Sequence, residues 1–73
     1  MKMIHRYDNK SKLWFSELVN QEGTVLHKEK SSSEKEYKLG QTIKLGFKEY
    51  KIVDYDYSMY SAIRLVAKLM EVE

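Results

Sequence analysis

The sequence predicts an all-β domain, a small antiparallel barrel or strongly bent sheet of about six strands, of the SH3-like or OB-like kind. Three observations predict it. Short segments alternate apolar and polar residues along the chain, and turn-forming clusters separate them. Pro is absent and Gly occurs three times, at Gly23, Gly40 and Gly46, each where the chain must reverse. The stretch Leu39 to Tyr57, LGQTIKLGFKEYKIVDYDY, reads as two strands folded back on each other at Gly46.

Taken in order, Met1 to Tyr7 alternates weakly and is read as a first strand, at an edge of the sheet. Asp8-Asn9-Lys10-Ser11 is a turn by composition. Lys12 to Asn20 places Leu13, Phe15 and Val19 on one face and Trp14 and Leu18 on the other. A helix competes over residues 12–22, with Ser11 as N-cap, Gly23 as C′ residue and Trp14/Leu18 and Phe15/Val19 at i, i+4 spacing. Strand ranks ahead, because Asn20-Gln21-Glu22-Gly23 resembles a hairpin loop ending in a left-handed Gly, and the β-favouring Thr24-Val25-Leu26 follows.

His27 to Lys38, HKEKSSSEKEYK, offers almost nothing to bury and is expected to be a mobile connector. The next hairpin has a definite register. With Gly46 supplying the positive φ of a type II′ turn and Phe47 beside it, Leu45 faces Lys48, Lys44 faces Glu49, Ile43 faces Tyr50 and Thr42 faces Lys51. Tyr50 and Ile52 then share one face while Val53, Tyr55 and Tyr57 take the other, so a β-bulge is expected between Ile52 and Val53. The last segment, Ala62 to Val72, places Ile63, Leu65, Ala67 and Leu69 on one face of a strand. Its alternative is a C-terminal helix at 61–71 in an α+β fold, with Ser61, Arg64, Lys68 and Glu71 in one polar stripe. The strand ranks ahead, since it would cover an otherwise long sheet edge.

At 73 residues the chain is expected to be a single small β domain over 1–73 with limited capacity for burial. Cys is absent, so neither a disulfide framework nor a thiolate zinc site is available to it. The 13 basic and 11 acidic residues give a net charge of +2 and are spread evenly in sequence. A strong polyanion binder usually carries a clustered basic stripe. No apolar run is long enough to span a bilayer, and the expected location is the cytoplasm, with no membrane partner.

Chemistry-bearing residues are few. His5 and His27 are the only histidines and are read as surface or edge residues; no Cys, suitably spaced Ser-His-Asp set, metal-ligand spacing or phosphate loop accompanies them. Asp54 and Asp56 stand two apart and are read as a solvated strand end. No catalytic, cofactor-binding or metal residue is assigned, and the chain is expected to be a non-enzymatic binding domain.

The unusual feature is aromatic, because five of the nine aromatic residues, Phe47, Tyr50, Tyr55, Tyr57 and Tyr60, fall within fourteen positions. Tyr rings bury well and keep a wet hydroxyl, which favours interfaces. The first functional expectation is therefore a small protein-interaction, accessory or inhibitory protein that binds through Tyr55, Tyr57, Tyr60 and Met59 beside Asp54 and Asp56. The partner is a protein of unknown identity, or a second copy of the chain. The alternative is a weak nucleic-acid-binding barrel using Lys44, Lys48 and Lys51 with Tyr37 and Tyr50; it ranks second because the acids would repel phosphate.

Overall fold

Alternating side chains and well-placed turns produce six strands: β1 (Lys2–Asp8), β2 (Leu13–Val19), β3 (Val25–Ser31), β4 (Thr42–Leu45), β5 (Lys48–Tyr55) and β6 (Arg64–Glu71). The structure is a computed structural model and describes residues 1–56 and 64–72. The strands form one antiparallel sheet in the order β3-β2-β1-β6-β5-β4, curled into a half-barrel. Every pairing is between sequence neighbours except β1 with β6, which joins the two ends of the chain. The connectivity is thus a meander, without the crossover of a Greek key.

The concave face holds the core. Met3, Leu18, Ile43, Leu45, Tyr50, Ile52, Ala67 and Leu69 pack there, with Tyr37 and Tyr55 laid against them. The register explains the set: Met3 stands opposite both Leu18 and Ala67, Leu69 opposite Ile52, and Tyr50 opposite Ile43. A fully buried side chain of this size stabilises the fold by about 1.5 to 3 kcal/mol.

Two expectations fail here. The first strand lies at the centre of the sheet, between β2 and β6, and the reason is its inner face, where Met3 and His5 are both buried. The connector expected from His27 onward begins only after Ser31. His27 to Ser31 continue β3, because the polar run alternates with period two and one face turns toward the inside. The C-terminal helix alternative is also set aside: Arg64 to Glu71 is a strand paired on both sides, and no helix occurs among the described residues. None of the described residues forms a helix long and apolar enough to cross a membrane.

The central hairpin has the expected register at every position. Gly46 adopts φ +69° while Phe47 keeps a negative φ, as a type II′ turn requires. A Cβ at Gly46 would make only ordinary contact with the His27 ring, 3.5 Å away, so backbone conformation is the whole penalty of substitution. Gly46→Ala is expected to cost about 1 kcal/mol, and the thermal midpoint should fall by roughly 4 to 8 °C. An unchanged melting curve would contradict it.

The bulge also stands where the alternation changes. Ile52 pairs with Leu69 and Asp54 with Lys68, leaving Val53 as the extra residue. Asp54 Oδ1 accepts the Tyr55 N–H at 2.8 Å, which holds the kink. The bulge returns Tyr55 to the inner face, opposite Ala67.

Candidate interaction surface

The residues expected to bind a protein partner divide into three groups. Tyr55 is half-buried against the core, and its hydroxyl donates to the Tyr37 carbonyl at 2.7 Å. Asp54 caps the bulge, and Asp56 forms an ion pair with Lys2 at 2.7 Å. That contact, with Lys68 farther off, lowers the Asp56 pKa from its usual value. Tyr57, Met59 and Tyr60 lie outside the described residues.

The alternative nucleic-acid set is dispersed. Lys44 and Lys51 share the outer face, whereas Lys48 bonds Glu71 at 3.0 Å, an interaction that raises the Lys48 pKa. Tyr50 is 2 % exposed and lies in the core, so its ring presents no face to a base. Tyr37 is a strut, its hydroxyl 2.9 Å from Ser16 Oγ.

His5 is the largest departure from the sequence reading. It is 2 % exposed, not a surface or edge residue, because its position on β1 faces inward between Met3 and Tyr7. Its ring stacks on Trp14 at 5.0 Å and meets Tyr37 edge-on at 5.1 Å. Nε2 accepts the Lys35 N–H at 3.2 Å, which leaves the proton on Nδ1 to donate to Ser16 Oγ at 2.9 Å. Burial pushes the His5 pKa down; Glu34 and the Phe15 backbone oppose the effect and Lys35 adds to it. The contact resembles half of a catalytic triad, but Ser16 is buried too and its hydroxyl is already bonded to Tyr37. The network fastens the segment after β3 across the inside of the sheet.

Charge that is evenly mixed in sequence is sorted by face in the fold. By register the outer face carries Lys2, Arg6, Lys28, Lys30, Lys44, Lys51 and Lys68 against Asp8, Glu17, Glu49 and Asp54. In its middle Phe15 lies between Arg6, 5.1 Å from the ring centroid, and Lys28 at 4.5 Å; Arg6 also bonds Glu17 at 3.0 Å.

The sheet is open at one place, between the edges of β3 and β4, which lie on opposite ends of the strand order. Curling brings them toward each other, as the Gly46 approach to His27 shows. Two cavities occupy the seam. One, of about 540 Å³, is lined by Leu18, Leu26, His27, Leu45, Phe47 and Tyr50. The other, of 430 Å³, lies between Glu29 on one side and Ile43 and Lys44 on the other, above Tyr37. Both fall in the size range of ligand clefts. The chain matches no protein-family model, no curated protein and no solved structure.

Phe47 is 102 % exposed at the hairpin tip, and Leu26 across the mouth is half exposed. Large apolar side chains held in water at the rim of a cleft are a usual mark of a binding site. Phe47 belonged to the aromatic cluster in the sequence, but nothing there separated it from Tyr50, three residues later and fully buried. Only the curl of the sheet makes that distinction.

Proposed function

We propose that the protein is a non-enzymatic binding domain that takes another protein along the seam between β3 and β4. The observation that carries the reading is the combination of two unpaired strand edges with Phe47 and Leu26 exposed at the mouth between them. Unpaired edges present backbone donors and acceptors, and an extended chain satisfies them by joining the sheet. We place the domain in the cytoplasm, in keeping with the absence of Cys.

Selection of peptides from a random display library on the folded protein tests this. Enriched peptides are expected to lose binding to Phe47→Asp and Leu26→Asp and to keep it with Lys51→Glu, on the outer face away from the seam. Enrichment that ignores both mouth substitutions would rule the site out.

A second reading rests on the outer face, where cations outnumber acids and Lys44 and Lys51 both lie. Such a face would bind nucleic acid weakly and in a strongly salt-dependent way. It ranks behind the first because Lys28 and Arg6 already cover the Phe15 ring and the acids stand among the lysines. Anisotropy of labelled single-stranded and duplex DNA and RNA at low salt decides it, with salt-sensitive binding lost in Lys44→Glu/Lys51→Glu as the result in its favour.

A further inference from the structure

We infer that the segment taken at the seam is an extended acidic strand of another protein, with carboxylates at alternate positions and apolar residues between them, added to the free edge of β3. The inference rests on the binding reading above and names its partner chemistry. β3 is the template because it is seven residues long, with residues 27–31 in regular alternation beyond an irregular step at Leu26, whereas β4 has four. An incoming strand of similar length would pair along it and leave β4 as the opposite wall.

Charge then selects the sequence of the incoming strand. Residues directly opposite across two strands share a face. On the outer side the newcomer meets Lys28 and Lys30 of β3, with Lys44 of β4 on the facing edge. None of Lys28, Lys30 and Lys44 forms an ion pair among the described residues; Glu17 stands opposite Lys28 and Glu49 opposite Lys44 on the strands behind them, and Lys30, opposite Phe15, faces no acid. On the inner side His27 and Glu29 are bonded to each other at 3.0 Å, so they make little demand for a counter-charge. Inward residues of the newcomer would pass over Leu45 and reach Leu26 and Phe47 at the mouth, which favours apolar side chains there.

A second copy of the chain fits less well. Full-length antiparallel pairing of two β3 edges, with their outer faces continuous, sets Lys28 directly opposite its own counterpart. A shift of the pairing by one step toward Ser31 sets Glu29 against Glu29 and Lys28 against Lys30 twice over. Like charges directly opposite destabilise a pair. The same lysines protect a free edge from self-association and leave it open to an acidic strand.

The test uses labelled seven-residue peptides and fluorescence anisotropy with the intact protein. One peptide alternates Glu with Val, one alternates Lys with Val, and one has the Glu/Val composition in two blocks. The alternating acidic peptide is expected to bind about tenfold or more tightly than either control. Lys28→Glu/Lys30→Glu should reverse the preference toward the Lys peptide, and N-methylation of alternate amides in the acidic peptide should abolish binding. Equal binding of the alternating and block acidic peptides would reduce the effect to bulk charge and overturn the inference. So would a mass in light scattering that doubles and is unchanged by added peptide. If no acidic peptide binds while displayed peptides still bind in a Phe47-dependent way, the seam reading stands and the acidic-strand inference falls; loss of both removes the site itself.

Discussion

Ile52→Ala is expected to be among the most damaging truncations in this chain, costing about 2 to 5 kcal/mol. Ile52 is wholly buried on the central part of β5, opposite Leu69, one residue before the bulge. Its backbone also ties in the loop that precedes β4: the Ile52 N–H donates to the Gln41 carbonyl at 2.9 Å, and its carbonyl accepts from Gly40 at 2.8 Å. The surroundings are a bulge on one side and paired strands on the other, which restricts collapse into the space left behind. A chain of 73 residues has a total stability of about 4 to 11 kcal/mol. The loss is therefore a large fraction of the whole. Denaturant titration should show the midpoint falling steeply in Ile52→Ala and by a smaller step in Ile52→Val, which costs about 1 kcal/mol. A midpoint unmoved by Ile52→Ala would mean that the core does not close over this residue.

The fold was legible wherever a strand had one apolar face and a turn with distinctive chemistry. Gly46 fixed a two-residue turn, and from that turn the pairing of Ile43 with Tyr50 and Lys44 with Glu49 followed by counting. The change of parity after Ile52 was enough to expose the bulge at Val53. β3 was hidden because His27 to Ser31 alternates between two polar sets, and an amphipathic test has no contrast to detect there. The centrality of β1 was hidden for a related reason. His5 is polar by any scale, yet it fills a core position because Ser16 and the Lys35 N–H satisfy both of its nitrogens. Charge sorting by face was present in the sequence only as alternation, and it emerged once the registers placed Lys28, Lys30 and Lys44 on one surface.

The candidate site was much less legible, since a seam between two non-adjacent edges is a property of closure. The six strands pair in chain order around the curl, and β1 with β6 uses the hydrogen-bonding capacity of the terminal strands. The remaining opening falls between β3 and β4, the pair joined by the longest connection among the described residues. Ser32 to Gln41 spans that opening at one end, held by Tyr37 on Ser16 and by Lys35 on His5. The His5 network and the proposed binding seam are therefore mechanically linked: the same connector anchors to one and bounds the other. The second cavity reflects this, being lined by Lys35 and Tyr37 as well as by β4.

Acidification is expected to weaken the protein through His5 before its carboxylates are affected. The folded state depresses the His5 pKa below 6.5, chiefly by burial. Between the folded and unfolded values the unfolded chain binds the extra proton, so stability rises with pH across that interval. The contribution is fully present above about pH 6.5 and is lost as pH falls through the folded value, with a slope of at most about 1.4 kcal/mol per pH unit for a single proton. Protonation places a hydrogen on Nε2 facing the Lys35 N–H, two donors in opposition, so the segment carrying Tyr37 should loosen first. The groups around the ring are Ser16, Trp14, Tyr37, Glu34 and Lys35, and Glu34 moderates the effect without reversing it. Asp8 and Asp56 have lowered values and lose their contribution as pH falls from 3.8 through those values, a separate and more acidic interval. Denaturation midpoints should thus be flat from about pH 8 to 7 and fall as pH drops below about 6.5, with hydrogen exchange at the Lys35 amide accelerating over the same range. His5→Gln, which costs about 2 kcal/mol through lost stacking and imperfect bonding, should remove the slope along with part of the stability. A slope that survives in His5→Gln would assign the transition to another group and break the proposed link between the buried imidazole and the connector.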